Sequence, residues 1–127
     1  MIFLVRHGEA AAGWSDAPDP GLSELGFRQA EAAASLLKDA GATAAITSPM
    51  QRCRDTASAF ETLMDITAPV EPAVSEIITP PDVGDRVAWL RGVMSGRWDD
   101  NTDDFMAWRT AARDAVAALP DGTVVFS

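Results

Sequence analysis

The chain has 127 residues, 47% of them hydrophobic, and a formal charge of −9. That length supports one domain with a real core and excludes two of ordinary size. The acidic balance, with no basic tract to offset it, argues against nucleic acid and anionic lipid as partners, so any bound anion must be held by a local cluster of arginines.

In chain order, Ile2–Val5 reads as a buried strand. Its apolar run is far too short for a membrane span, and it lacks the charged front and long apolar middle of a secretion signal. A cytoplasmic protein is the expectation. The single cysteine, Cys53, forms no internal disulfide and fits a reducing compartment. Residues 10–21, AAAGWSDAPDPG, read as a loop because Gly, Asp and Pro punctuate them. Leu22–Ala40 reads as a helix, with Ser23 as N-cap, Glu24 in the first turn and Gly41 beyond the end. Thr43–Thr47 is short and β-compatible. Pro49 suits the start of a helix running to about Met64.

Residues 65–81 are rich in Pro, Thr and Val, with an extended segment expected around Val70–Ile77. Asp82 is the expected cap of a helix from Val83 to about Met94. SGRWDDN reads as a loop, and Asn101 or Thr102 caps a helix ending near Leu119. PDG is a turn, and Thr123–Phe126 a final apolar strand. Strands alternating with helices predict a single α/β domain, a mostly parallel sheet with helices on both faces.

Open parallel sheets bind ligands beyond the C-terminal ends of their strands. RHGE follows the first strand and TSPMQR the second. The first offers Arg6 and His7, the only histidine; the second offers Ser48, a helix start and Arg52. Helix amides and arginines together favour phosphate. A neutral imidazole beside such a site is a candidate nucleophile towards phosphorus, with Arg6 and Arg52 taking up charge on the transferring group. Glu76 and Glu9 are the acids near predicted strand ends that could protonate a leaving group. Taken one at a time, these residues have plainer readings: a hydrogen-bonding turn histidine, a surface arginine, a serine N-cap, solvent-exposed glutamates. Their combination at two successive strand ends carries the functional reading. Trp89 and Trp108, on helices, read as core; Trp14 and Trp98, in loops, are candidates for a substrate entrance. Cys53 lies between Arg52 and Arg54, which would lower its pKa, although a helix cysteine is more often simply buried.

LVRHGEA, LSELGFRQAE and TSPMQRCRDTA, in that order, resemble the histidine phosphatase superfamily, the phosphoglycerate-mutase-like proteins, and within it the small phosphatase branch. The resemblance implies that His7 becomes phosphorylated, that Arg6 and Arg52 hold the phosphoryl group, and that Glu76, in VSEI, lies where many members keep an acidic proton donor. It gives Ser48 a supporting role at the pocket edge. It implies no metal or other cofactor, and a phosphorylated small molecule or phosphoprotein as substrate. Gly13 stands where many mutase-like members carry an asparagine of the phosphate pocket, so a small phosphatase fits better than a mutase; Glu9, Gly13, Ser48 and Trp14 are the expected outer pocket residues. The family's second histidine follows a strand like VVFS, and the chain stops at Ser127. A C-terminally truncated histidine phosphatase domain is therefore the expectation. The alternative is a catalytically weak or inactive phosphate-binding domain that acts through interaction. Oligomeric state is not legible.

Overall fold

The computed structural model describes residues 1–13 and 17–127. Three short strands, β1 (Phe3–Val5), β2 (Ala44–Thr47) and β3 (Thr123–Phe126), form one parallel sheet in the order β1-β3-β2. Val124, Val125 and Phe126 are apolar on both faces of the strand, as a central parallel strand requires, and all of β3 is buried.

The sheet separates two helical layers. α1 (Glu24–Asp39) and α2 (Gln51–Met64) pack on each other and on the face carrying Val124 and Phe126. Ala34 and Leu37 of α1 and Ala57 and Phe60 of α2 are spaced to fall on one helical stripe each. Phe60 is fully buried, its ring 6.1 Å from that of Phe126. On the other face Leu4 and Val125 look towards α4 (Asp103–Ala117), which contributes Trp108, Ala112 and Val116. α3 (Arg86–Ser95) precedes α4 and adds buried Leu90.

Most expected elements stand within a few residues of their predicted bounds. Ser23 caps α1, its side chain accepting from the Gly26 amide at 3.0 Å. Two expectations are corrected. Asp85, not Asp82, caps α3: its carboxylate accepts from the amides of Val87 and Ala88, so the helix starts three residues later. The segment around Val70–Ile77 is not extended throughout. Val70 bridges to Thr47, but Pro72–Val74 form a 3₁₀ turn capped by the Glu71 side chain. Among the described residues no helix is long and apolar enough to cross a membrane.

Candidate active site

The three strands end at one level. Val5 and Thr47 both pair with Phe126, so Arg6–His7, Ser127 and Ser48 emerge side by side. Backbone bonds lock them together: the Ser127 amide donates to the Val5 carbonyl, the His7 amide to the Ser127 carbonyl, and the Ser48 amide to the Phe126 carbonyl, all at 2.9–3.0 Å. These residues border a cavity of ≈ 240 Å³. Arg52, Cys53 and Met50 from the start of α2 and Glu76 complete its walls.

The half-buried His7 ring is fixed by its own backbone neighbour. Nδ1 lies 2.7 Å from the Gly8 carbonyl oxygen, which can only accept. Nδ1 is therefore the donor, and in the neutral ring Nε2 keeps the lone pair that a nucleophile needs. Gly8 is in turn held in place through its amide. The Gly8 amide donates to Thr56 Oγ1 at 3.0 Å, and that hydroxyl donates to the Arg52 carbonyl at 2.7 Å. A side chain at Gly8 would put its Cβ 2.6 Å from the Gly26 carbonyl oxygen, and one at Gly26 would put its Cβ 2.2 Å from that of Glu9. Only glycines let the turn after β1 pass this close to α1.

Arg52, the second residue of α2, is 5% exposed. Its Nη2 donates to Glu76 Oε2 at 2.7 Å, and its Nη1 lies 4.0 Å from Asp19. Its Nε is buried and makes no hydrogen bond among the described residues. An unmet buried donor of this kind costs about 1–3 kcal/mol. Arg6, by contrast, reaches the cavity from an exposed position.

Glu76 accepts from two guanidinium groups at once. Oε2 meets Arg52, and Oε1 meets Arg86 Nη2 at 3.0 Å. Arg86 Nε also donates to Thr79 Oγ1 at 2.7 Å. Next to Glu76, the Ser75 carbonyl accepts from Trp108 Nε1 at 3.1 Å, which ties this segment to α4. In this arrangement each carboxylate oxygen accepts from one guanidinium group.

Cys53 faces the cavity but is buried, and burial pushes its thiol above the ordinary range, outweighing the Ser48 hydrogen bond and the Arg52 charge. The flanking arginines do not activate it. Ser48 Oγ accepts from the Met50 amide at 3.3 Å, and the Gln51 amide donates to Asp19 at 2.8 Å, so α2 is capped from outside its own first residue.

Four expected site residues, Arg6, His7, Arg52 and Glu76, come together in the cavity wall, with Ser48 beside them. Glu9 stands apart: it is exposed, and its carboxylate accepts from Ser23 Oγ at 2.8 Å at the start of α1. Gly13 is exposed and lines no part of the cavity. Trp14 lies outside the described residues. Among the described residues no group of three or more His, Cys, Asp or Glu could hold a metal ion. Sequence reasoning missed Thr56 and Arg86. Thr56 carried a signal, since four residues after Arg52 it shares that helix face; Arg86 carried none.

The family model described as histidine phosphatase superfamily (branch 1) matches residues 2–114. A Yersinia pestis protein named probable phosphoglycerate mutase GpmB is 32% identical over 144 aligned positions. They cover 97% of this chain and 66% of the relative, so the chain spans just under two thirds of it. The solved structure of a mycobacterial glucosyl-3-phosphoglycerate phosphatase in complex with VO3 superposes with a TM-score of 0.69 at 22% identity, covering 98% of this chain and 73% of that one. The product of the Mycobacterium tuberculosis open reading frame Rv3214 gives 0.66 at 25% identity, covering 99% and 72%.

Proposed function

Because the chain belongs to the histidine phosphatase superfamily, we propose that it is a phosphomonoester hydrolase working through a phosphohistidine at His7. The observation that carries this reading is the 2.7 Å contact of His7 Nδ1 with the Gly8 carbonyl, which leaves Nε2 of the neutral ring as the nucleophile in a cavity that the buried Arg52 also lines. That two solved mycobacterial forms hold VO3 or inorganic phosphate supports phosphate chemistry in this fold.

The chemistry runs in two displacements. The substrate phosphoryl group takes over the Arg52 guanidinium, drawing Nη2 away from Glu76; Arg6 adds a second guanidinium. His7 Nε2 attacks phosphorus in line, the P–O bond to the leaving group breaks, and that oxygen takes a proton from Oε2 of Glu76, which enters this step as the carboxylic acid that the second step regenerates. Water then attacks the phosphoryl group. The P–N electron pair returns to Nε2, and the water's proton goes to the Glu76 carboxylate. Through both steps Arg86 keeps hold of Oε1 and so keeps Glu76 at the cavity. No step calls on a metal or other cofactor. A phosphorylated metabolite or phosphoprotein in the cytoplasm is the proposed substrate.

The test is hydrolysis of a generic aryl phosphate by the chain and by His7→Ala. The proposal expects turnover in the first and none in the second. Phosphate binding without turnover in the unaltered chain would favour an interaction domain instead.

A further inference from the structure

A second, larger cavity of ≈ 610 Å³ opens beside the phosphate pocket and takes no part in the chemistry above. Its lining begins at Ile77, the residue after Glu76, so the chain passes directly from the lining of one cavity to that of the other. Three aromatic side chains form its body. Phe105 is buried, its ring 5.6 Å from that of Trp108, and Trp89 faces them from α3. Asp82, Asp100 and Asp104 stand on its rim. No lysine or arginine lines it. Arg86, at the near end of α3, bonds to Glu76 and Thr79, and Arg109 lies 4.7 Å over the outlying Trp98 ring.

Aromatic faces carry negative potential, and organic cations are held between them. Carboxylates at the rim add attraction of the same sign and repel anions. A leaving group bearing its own carboxylate, as in a phosphoglycerate, would meet three aspartates there. We infer that this cavity receives the leaving group of the phosphoester and selects leaving groups that carry an organic ammonium. The inference rests on the hydrolase reading, because it takes the phosphoryl group to be anchored at Arg52. It narrows the substrate class to small phosphomonoesters of amino alcohols.

The experiment compares choline phosphate with 3,3-dimethylbutyl phosphate, its uncharged isostere, and with an aryl phosphate as reference. The expected kcat/KM ratio of choline phosphate to the isostere is about tenfold, the size of one good cation–aromatic contact. Asp82→Asn with Asp104→Asn, both at exposed positions, should bring that ratio to about threefold or less, with the loss falling on choline phosphate more than on the isostere. Equal rates on the two esters, or a ratio untouched by the double variant, would overturn the inference. Tryptophan-fluorescence titration of both esters reads the same preference without turnover. An inactive chain that binds choline phosphate tenfold more tightly would thus sink the hydrolase reading and keep the cation site. Equal binding would sink the cation site alone.

Discussion

At the sheet end, backbone bonds between the strands fix the turn that carries His7 and the start of α2; between residues 77 and 108, position depends on a few side chains. The His7 ring is held by the Gly8 carbonyl, and Gly8 is held through its amide by Thr56 of α2. The outer segment hangs on the Trp108–Ser75 bond, the Arg86–Thr79 bond and the Phe105 cluster. The lesson is a division of labour. Backbone registration sets the groups to which the proposal gives the chemistry, where a displacement of an ångström would cost orders of magnitude in rate. The outer wall is free to vary with the leaving group.

The largest effect that would test this division is Arg52→Ala. It removes the buried guanidinium, and turnover of an aryl phosphate should fall about 10²- to 10³-fold. Phosphate affinity should weaken with it, while thermal stability changes less, because the side chain serves charge more than packing. Unchanged kinetics with a large loss of stability would move Arg52 out of the site and into the core.

Gly8→Ala comes next. A methyl group 2.6 Å from the Gly26 carbonyl forces the turn after β1 to shift. Stability should drop by about 1–3 kcal/mol, and activity should fall further than the folded fraction does, because the His7 ring loses its anchor. Activity that tracks the folded fraction would deny the Gly8 carbonyl its part in orienting the imidazole. For the outer wall, Arg86→Gln should lower turnover about tenfold and do so more for poor leaving groups than for good ones, with KM for the aryl ester little changed. Glu76→Gln should show the same leaving-group dependence more strongly. Equal slowing of good and poor leaving groups in both variants would leave the Arg86–Glu76 pair a structural bond only.

The smallest effect concerns pH. Burial raises the Cys53 thiol above its ordinary 9.0. In the unfolded chain the thiol ionises near that value, while in the folded chain it stays neutral. Stability is thus fully present below about pH 9 and declines as pH rises through the folded value. The denaturant midpoint should fall more steeply above pH 9 in the unaltered chain than in Cys53→Ala. Identical slopes would show the thiol to be reachable by water.

How legible this was follows from where each constraint lies. β3 was plain because Val124, Val125 and Phe126 form an uninterrupted apolar run before the chain's last residue, and α1 because Ser23, Glu24 and Gly41 bracket it. His7 and Arg52 were visible because strand-end position and neighbouring motif agree. Asp85 displaced Asp82 as a cap because two acids three residues apart look alike in sequence, and only the chain's turn decides which carboxylate meets the free amides. The Glu76–Arg86 pair was invisible for a related reason. It exists only because the segment between them folds back, which no local spacing records. Glu9 misled because adjacency to His7 suggested the pocket, while the close Gly8–Gly26 contact turns it towards α1.

Acid quenching destroys a phosphorus–nitrogen bond, so the most direct test is a rapid alkaline quench during turnover, followed by mass spectrometry of the peptide containing residue 7. The account predicts one added phosphoryl group on His7, lost on brief acid treatment and absent from His7→Ala. Steady turnover with no trace of phosphate on that peptide, or turnover that survives in His7→Ala, would contradict it.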